Sequence, residues 1–394
     1  MNHFTTDLVQ ALVTKKDVTE VFRNHLEAAM NHLLETELTA FLDYEKYDRI
    51  GVNSGNSRNG GYCRTLHTEY GDLQLNIPRD RNGEFKQQTV APYKRSNDTL
   101  ESFVIHMFQK GVTMTEIADL IEKMYGHHYT PQTVSNMTKV MVEHVDAFMK
   151  RPLEKRYVCV YIDATYIAVK RKTVSKEAVY IAVGIREDGT KEVLTYAVAP
   201  TESAYIWKEL LQDVKERGTE QILLFISDGL TGIVNAIQEI YPHAKYQTCC
   251  VHLVRNIAHK VRVSDRAEVC EDFKSVYRSD DEQAGKEALK AFCDKWKTAY
   301  PKVIKSLREN PYIFTFYSFP KPIWRSIYST NLIESFNKQI KKYTNRKEQF
   351  PHEEALEKFL VAQFESYNQR FATRCHIGFD KARSELLAMF STKD

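Results

Sequence analysis

No apolar run in this 394-residue chain reaches membrane-spanning length, so no membrane partner is expected. The opening residues, Met1-Asn-His-Phe-Thr-Thr-Asp, lack the basic and apolar regions of a secretory leader. Cysteine is sparse: seven residues, at 63, 159, 249, 250, 270, 293 and 375, an odd number without framework spacing. That excludes a disulfide scaffold and leads to the expectation of reduced thiols in a cytoplasmic protein. Charge of one sign is also missing. The formal net charge is +3, so any grip on nucleic acid must come from local patches. Gly-x-Gly-x-x-Gly after a first strand and a phosphate-loop Gly-Lys-Ser/Thr are both absent, against dinucleotide-binding and phosphate-loop folds. There is no internal repeat or low-complexity tract.

What the chain does have is two apolar stretches that each lead into an acid. Residues 156–166 run Arg-Tyr-Val-Cys-Val-Tyr-Ile-Asp-Ala-Thr-Tyr, a strand pattern delivering Asp163. Residues 222–229, Ile-Leu-Leu-Phe-Ile-Ser-Asp-Gly, deliver Asp228 in the same way. If the strands are parallel neighbours, the carboxylates converge, and converging carboxylates are tolerated where a divalent cation neutralises them. The competing reading is that each Asp caps the turn or helix that follows.

Around that pair the chain reads as follows. An amphipathic helix over 18–46 carries Phe22, Leu26, Met30, Leu33 and Phe41, and packs on its own core or on a second copy. Residues 47–61 have the composition of a linker, and 62–81 alternate as a β-hairpin around Tyr70-Gly71-Asp72. Residues 98–150 are helical, with a capping box at Thr113 and Glu116 and a helix start at Thr130-Pro131. Helix, short turn, helix is a helix-turn-helix pattern, with Gln132, Thr133, Ser135, Asn136 and Lys139 able to meet bases and phosphates. Against it, residues 1–150 hold 20 acids and 16 bases.

Strands near 157–163, 178–186 and 191–199, then helix 202–217, strand 221–227, helix 230–240 and strand 244–248, follow the order of an α/β RNase H-like fold. Residues 250–311 read as helical. Farther on, Ile333, Phe336, Ile340 and Tyr343 form an apolar stripe, with Glu334, Lys338, Lys341 and Lys342 on another face. Glu334 in line with cations suits metal-assisted chemistry on a polyanion. Its rival is a capping box, Asn331-x-x-Glu334, with the lysines a solvated face.

Asp163, Asp228 and Glu334 on this fold pattern resemble the catalytic triad of DDE transposases. The words Tyr161-Ile-Asp-Ala-Thr-Tyr, Ser227-Asp-Gly, Gln247-Thr-Cys-Cys-Val-His-Leu-Val-Arg-Asn256 and Ile327-Tyr-Ser-Thr-Asn-Leu-Ile-Glu-Ser-Phe-Asn resemble mutator-type bacterial insertion-sequence transposases, relatives of Mutator-like elements, over nearly the whole chain.

The resemblance implies an RNase H-like catalytic domain with an all-helical insertion, preceded by a mainly helical N-terminal DNA-binding region with a β-hairpin. The expected division is a helical region and linker over 1–60, a hairpin segment over 61–97 and a helix-turn-helix-like domain over 98–152. The catalytic core follows over 153–248, the insertion over 249–325, and the core resumes with C-terminal helices over 326–394. Asp163, Asp228 and Glu334 are expected as catalytic metal ligands for Mg2+, with Mn2+ able to substitute. Gln132, Ser135, Asn136, Lys139, Lys338, Lys341 and Lys342 are expected on DNA. Cys249, His252, Arg255 and Asn256 match a further word of the family and are expected to be structural, near the site. Cys249 and His252 could otherwise be half a zinc site completed by His259 and Cys270. Trp324 reads as packing or as a base-stacking platform.

The implied partners are double-stranded DNA, as element terminal inverted repeats and as target, and a second copy of the chain in a dimer or larger assembly. The implied location is the bacterial cytoplasm, on the nucleoid when bound to DNA. Two other functions remain open from the sequence, a catalytically silent DNA-binding regulator and a nuclease of the same fold.

Overall fold

The computed structural model describes residues 3–46, 55–90, 98–125, 129–138, 140–170, 173–200, 204–230 and 232–391. The chain divides into two compact units, residues 1–140 and 141–394.

The first unit begins with α1 (His3–Thr14) and α2 (Val18–Leu42). Asp17 accepts a hydrogen bond from Thr19 N and starts α2. Next comes an antiparallel hairpin, β1 (Arg58–Thr68) and β2 (Gly71–Asp80). Strand β1 starts at Arg58, so the expected boundary at 60/61 cuts through it. Leu73, Leu75 and Ile77 alternate onto the face that α2 covers. The stripe that α2 buries is Leu26, Met30, Leu34 and Leu38, not the expected Leu33 and Phe41, which are exposed. Four-residue steps hold one face of a helix against a flat strand pair, and Leu33 and Phe41 rotate off that line.

Three helices follow: α3 (Asp98–Gln109), α4 (Met114–Tyr125) and α5 (Pro131–Met137). The capping box forms, with Thr113 N donating to Glu116 Oε2 and Glu116 N to Thr113 Oγ1. Thr130 caps α5 by accepting from Thr133 N. Helix α5 is shorter than the sequence pattern implies. It ends at Thr138, whose hydroxyl donates to Ser135 O, and a separate helix α6 (Val140–Lys150) follows. Lys139 lies outside the described residues.

The second unit is built on a five-stranded mixed sheet of order β5-β4-β3-β6-β7. Its strands are β3 (Arg156–Lys170), β4 (Val174–Arg186), β5 (Lys191–Ala199), β6 (Gln221–Ser227) and β7 (Lys245–Thr248). The first three pair antiparallel, and β3-β6-β7 pair parallel. Helices α7 (Ala204–Glu216) and α8 (Ile233–Ile240) cover one face, where Trp207 packs edge-on to Tyr180. Full burial of a large apolar side chain contributes about 1.5–3 kcal/mol. The sheet runs without side chains to spare at Gly184 of β4. A Cβ there would sit 2.7 Å from the Tyr157 ring and 3.0 Å from Leu194. Gly184→Ala should cost roughly 1–3 kcal/mol, read from the urea midpoint. An unchanged midpoint would show that the Tyr157 ring gives way freely.

After β7 come α9 (Cys250–Lys260), α10 (Arg266–Tyr277), α11 (Glu282–Trp296) and α12 (Pro301–Arg308), then two short 3-10 turns. The chain finishes with α13 (Trp324–Ile327), α14 (Asn331–Lys347), α15 (Glu353–Phe371) and α16 (Phe379–Ser391). Helices α14 and α15 cover the other face of the sheet, with Phe336 and Tyr196 both against Phe364.

Both outer strands are met by later segments. Asn368 of α15 accepts from Val193 N on β5, and Thr248 N on β7 donates to Tyr312 O. Trp324 is a packing residue: its indole donates to Phe319 O and its ring meets Phe316 and Tyr317 edge-on.

Candidate active site

Strand β3 does not stop at its acid. It continues seven residues to Lys170, paired with β4 beyond the site and, near its end, bridged in parallel by Phe350. What stops is β6. The parallel ladder runs from Arg156↔Gln221 to Tyr161↔Ile226, and the same register carried on by two residues sets Asp163 beside Asp228. Gly229 follows at φ +93°, a left-handed conformation that turns the chain away directly after the acid.

The two carboxylates feel each other. Burial first, and the Asp228 charge second, push Asp163 up to about 6 from the ordinary 3.8. Two donors offset this in part. Ala164 N lies 2.8 Å from Asp163 Oδ1, and Asn337 Nδ2 lies 2.7 Å from Asp163 Oδ2.

Glu334 stands on the first turn of α14, its side chain 12% exposed. The capping-box reading of Asn331-x-x-Glu334 fails, because the helix cap is Thr330. The Thr330 hydroxyl does not cap the helix either. It lies 3.2 Å from Cys249 Sγ, 3.1 Å from His252 Nδ1 and 3.3 Å from Glu334 Oε1. A cap diverted from its usual work marks a place where local rules yield to a site. Arg255 Nη1 donates to Glu334 Oε1 at 2.9 Å and lies 3.1 Å from His252 Nε2.

The first turn of α9 thus meets the first turn of α14. Cys249 caps α9 by accepting from His252 N, and it also accepts from Thr330 N. Those donors settle the Cys249 sulfur among hydrogen bonds. Among the described residues no cluster of three His, Cys, Asp or Glu is close enough to hold a metal, so the zinc reading with His259 and Cys270 has no support. The Cys249 thiol, with Asp228 and Glu334, raises the His252 imidazole above its ordinary value. Asn256 is exposed on α9.

The structure brings two of the three acids together and leaves Glu334 apart from them, since no three such groups among the described residues stand close enough to hold a metal. Asp163 and Asp228 adjoin on the sheet, Glu334 is ion-paired to Arg255, and His252 feels all three charges. The donors at the Asp163–Asp228 pair are hard oxygens, and two adjoining carboxylates fit an oxygen-preferring divalent cation. Arg255 holds Glu334 through Oε1.

Lys338, Lys341 and Lys342 are exposed along α14. On α5, Gln132 and Asn136 are exposed and 3.4 Å apart, while Ser135 is half-buried. Asn337 and Thr330 were missed by sequence reasoning. Asn337 carried a signal: a polar residue three positions after Glu334, inside an apolar stripe.

The family described as Transposase, Mutator family, matches residues 1–373. The transposase of insertion sequence element IS905 from Lactococcus lactis is 48% identical over 390 residues, covering 99% of this chain and 100% of that one. The transposase of IS1201 from Lactobacillus helveticus is 48% identical, covering 93% and 100%. The transposase of IS256 in transposon Tn4001 from Staphylococcus aureus is 27% identical, covering 96% and 99%. The Drosophila P element transposase strand transfer complex matches over 79% of this chain and 87% of that one at 10% identity, with a TM-score of 0.31, too slight to carry an argument. From its first helix to α15, the chain belongs to the Mutator family of transposases.

Proposed function

We propose that this transposase is of the DDE type. In this reading it binds the terminal inverted repeats of an insertion sequence, cuts DNA strands there and joins them to target DNA. The observation that carries it is the β3–β6 register, which sets Asp163 beside Asp228 with Glu334 on a helix packed against β3. The strand order, three antiparallel and then two parallel, supports an RNase H-like core interrupted by a helical insertion over 249–325. Asp163, Asp228 and Glu334 would hold Mg2+, or Mn2+ in its place. The bound cations would supply Lewis-acid activation of the attacking oxygen and stabilisation of the leaving one.

The chain's own residues do the rest. Asp163, which adjoins Asp228 on the sheet and lies on the strand that α14 packs against, would be a ligand of the cation. Arg255, beside Glu334, is a cation available to the DNA phosphate once Glu334 turns to the metal. Helix α5 and the lysines of α14 meet the DNA, and pairing of two element ends calls for at least two copies of the chain.

Purified protein, a duplex carrying a repeat end, and Mg2+ test the reading. Nicking and joining are expected. Binding without nicking would make the chain a silent regulator, and nicking without joining would make it a nuclease.

The basic face of α14 gives a separate expectation. Lys338 and Lys341 lie four and seven residues after Glu334, on one side of the helix. Each phosphate contact adds close to one unit of salt slope. Lys338→Gln with Lys341→Gln should weaken duplex binding at moderate salt and flatten its salt dependence by roughly two units. An unchanged slope would make these lysines a solvated face.

A further inference from the structure

We propose that Asn337 is a positioning residue of the cation site, fixing the Asp163 carboxylate and offering its own oxygen to the hydrated cation; this rests on the reading of Asp163 and Asp228 as metal ligands.

Asn337 is a polar residue in a place built for an apolar one. It lies on the buried side of α14 with Ile333, Phe336 and Ile340, and is itself 6% exposed. Its amide reaches across to β3, where Nδ2 lies 2.7 Å from Asp163 Oδ2. A carboxylate oxygen only accepts, so the amide nitrogen must face it and the amide oxygen must point elsewhere. That oxygen, Oδ1, is buried and has no hydrogen-bond partner. A buried carbonyl left unpaired loses its hydration with nothing in return, and such groups in folded proteins call for an explanation. Thr165, two residues beyond Asp163 on the same face of β3, also has a buried hydroxyl oxygen without a partner.

Two unsatisfied oxygens thus belong to residues next to Asp163, Asn337 hydrogen-bonded to it and Thr165 two places along its strand. The ligand that satisfies such a set is a donor of hydrogen bonds or a positive charge, and a hydrated divalent cation is both. The hydrogen bond to Asp163 does a second job. Ala164 N on Oδ1 and Asn337 on Oδ2 restrain the carboxylate's rotation, and each oxygen keeps a lone pair for the metal. Outer partners of this kind orient a ligand, and their loss typically costs 10–100-fold in metal affinity.

The test is Mn2+ binding to the full-length protein without DNA, by electron paramagnetic resonance, with melting curves in chelator and in Mn2+. Asn337→Leu keeps the volume and removes both polar groups. It should weaken Mn2+ binding by about 10–100-fold while melting in chelator no lower than the parent. Asn337→Asp keeps the oxygen, loses the donor and sets a charge against Asp163. It should melt lower in chelator and gain more from Mn2+ than the parent does. Asp163→Asn is the control. Unchanged Mn2+ affinity in Asn337→Leu, with affinity lost in Asp163→Asn, overturns the role of Asn337 alone. Unchanged affinity in both overturns the metal-site reading beneath it.

Discussion

Asp163→Asn, Asp228→Asn and Glu334→Gln should each lower strand cleavage and joining by on the order of a thousandfold or more, while the repeat-end duplex is still bound. The magnitude follows from what is lost. A metal-ligand carboxylate underwrites several kcal/mol of transition-state stabilisation, and each 1.36 kcal/mol is tenfold in rate. The three variants should differ in how they affect the fold. Asp163 and Asp228 carry like charge at one end of the β3–β6 ladder, and burial already disfavours the charge on Asp163. Asp163→Asn removes that conflict, so in chelator it should melt at or above the parent temperature. Glu334→Gln instead takes the charge partner from Arg255, and gains nothing. An inactive Asp163→Asn protein that melts normally separates lost chemistry from lost fold. Glu334→Gln with near-parental rates would sink Glu334 as the third ligand.

The second large effect is structural. Glu192 on β5 is buried and has three partners. Its Oε1 accepts from the Tyr157 hydroxyl at 2.6 Å and from Arg186 Nε at 2.8 Å, and its Oε2 accepts from Arg151 Nη2 at 3.4 Å. Burial and the Glu192 charge together hold the Tyr157 phenol above its ordinary value. Glu192→Ala would leave a buried hydroxyl and two partly buried guanidinium groups without their acceptor. Breaking such a set from one side costs about 3–5 kcal/mol, and the partial exposure of Arg151 and Arg186 puts the expectation near the lower figure. Glu192→Gln retains an acceptor for Tyr157 and should cost about half as much. Calorimetry on both variants checks this. A loss under about 1 kcal/mol for Glu192→Ala would mean that water replaces the carboxylate freely.

How far the sequence alone reached depended on how local the determining interactions are. Strands β4, β5 and β6 were legible because alternation and an Asp188-Gly189 turn are short-range signals. The meeting of Asp163 with Asp228 was legible because two strands of one pattern each reach an acid at the same depth. The length of β3 was not. Residues 164–170 are as β-favouring as those before them, and only the partner β6 ends near the acid. The pairing of Glu334 with Arg255 joins residues far apart in the chain, so each residue could be singled out but not the bond between them. In α2 a helical period fitted two neighbouring stripes, and the hairpin chose the one through Leu34 and Leu38. In α5 the stop came from a single Thr138 hydroxyl folding back on Ser135.

The order of synthesis gives the sheet edges a meaning in time. A ribosome releases β3 to β7 before it has made Tyr312, Glu334 or Asn368. Until those residues emerge, β5 and β7 present unpaired backbone, and unpaired strand edges invite association with other chains. The same late residues bring the third acid. A chain interrupted before residue 310 would thus lack both its edge guards and its last carboxylate. It should be insoluble as well as inactive, so that unfinished chains are cleared instead of lingering as silent competitors for the element's ends.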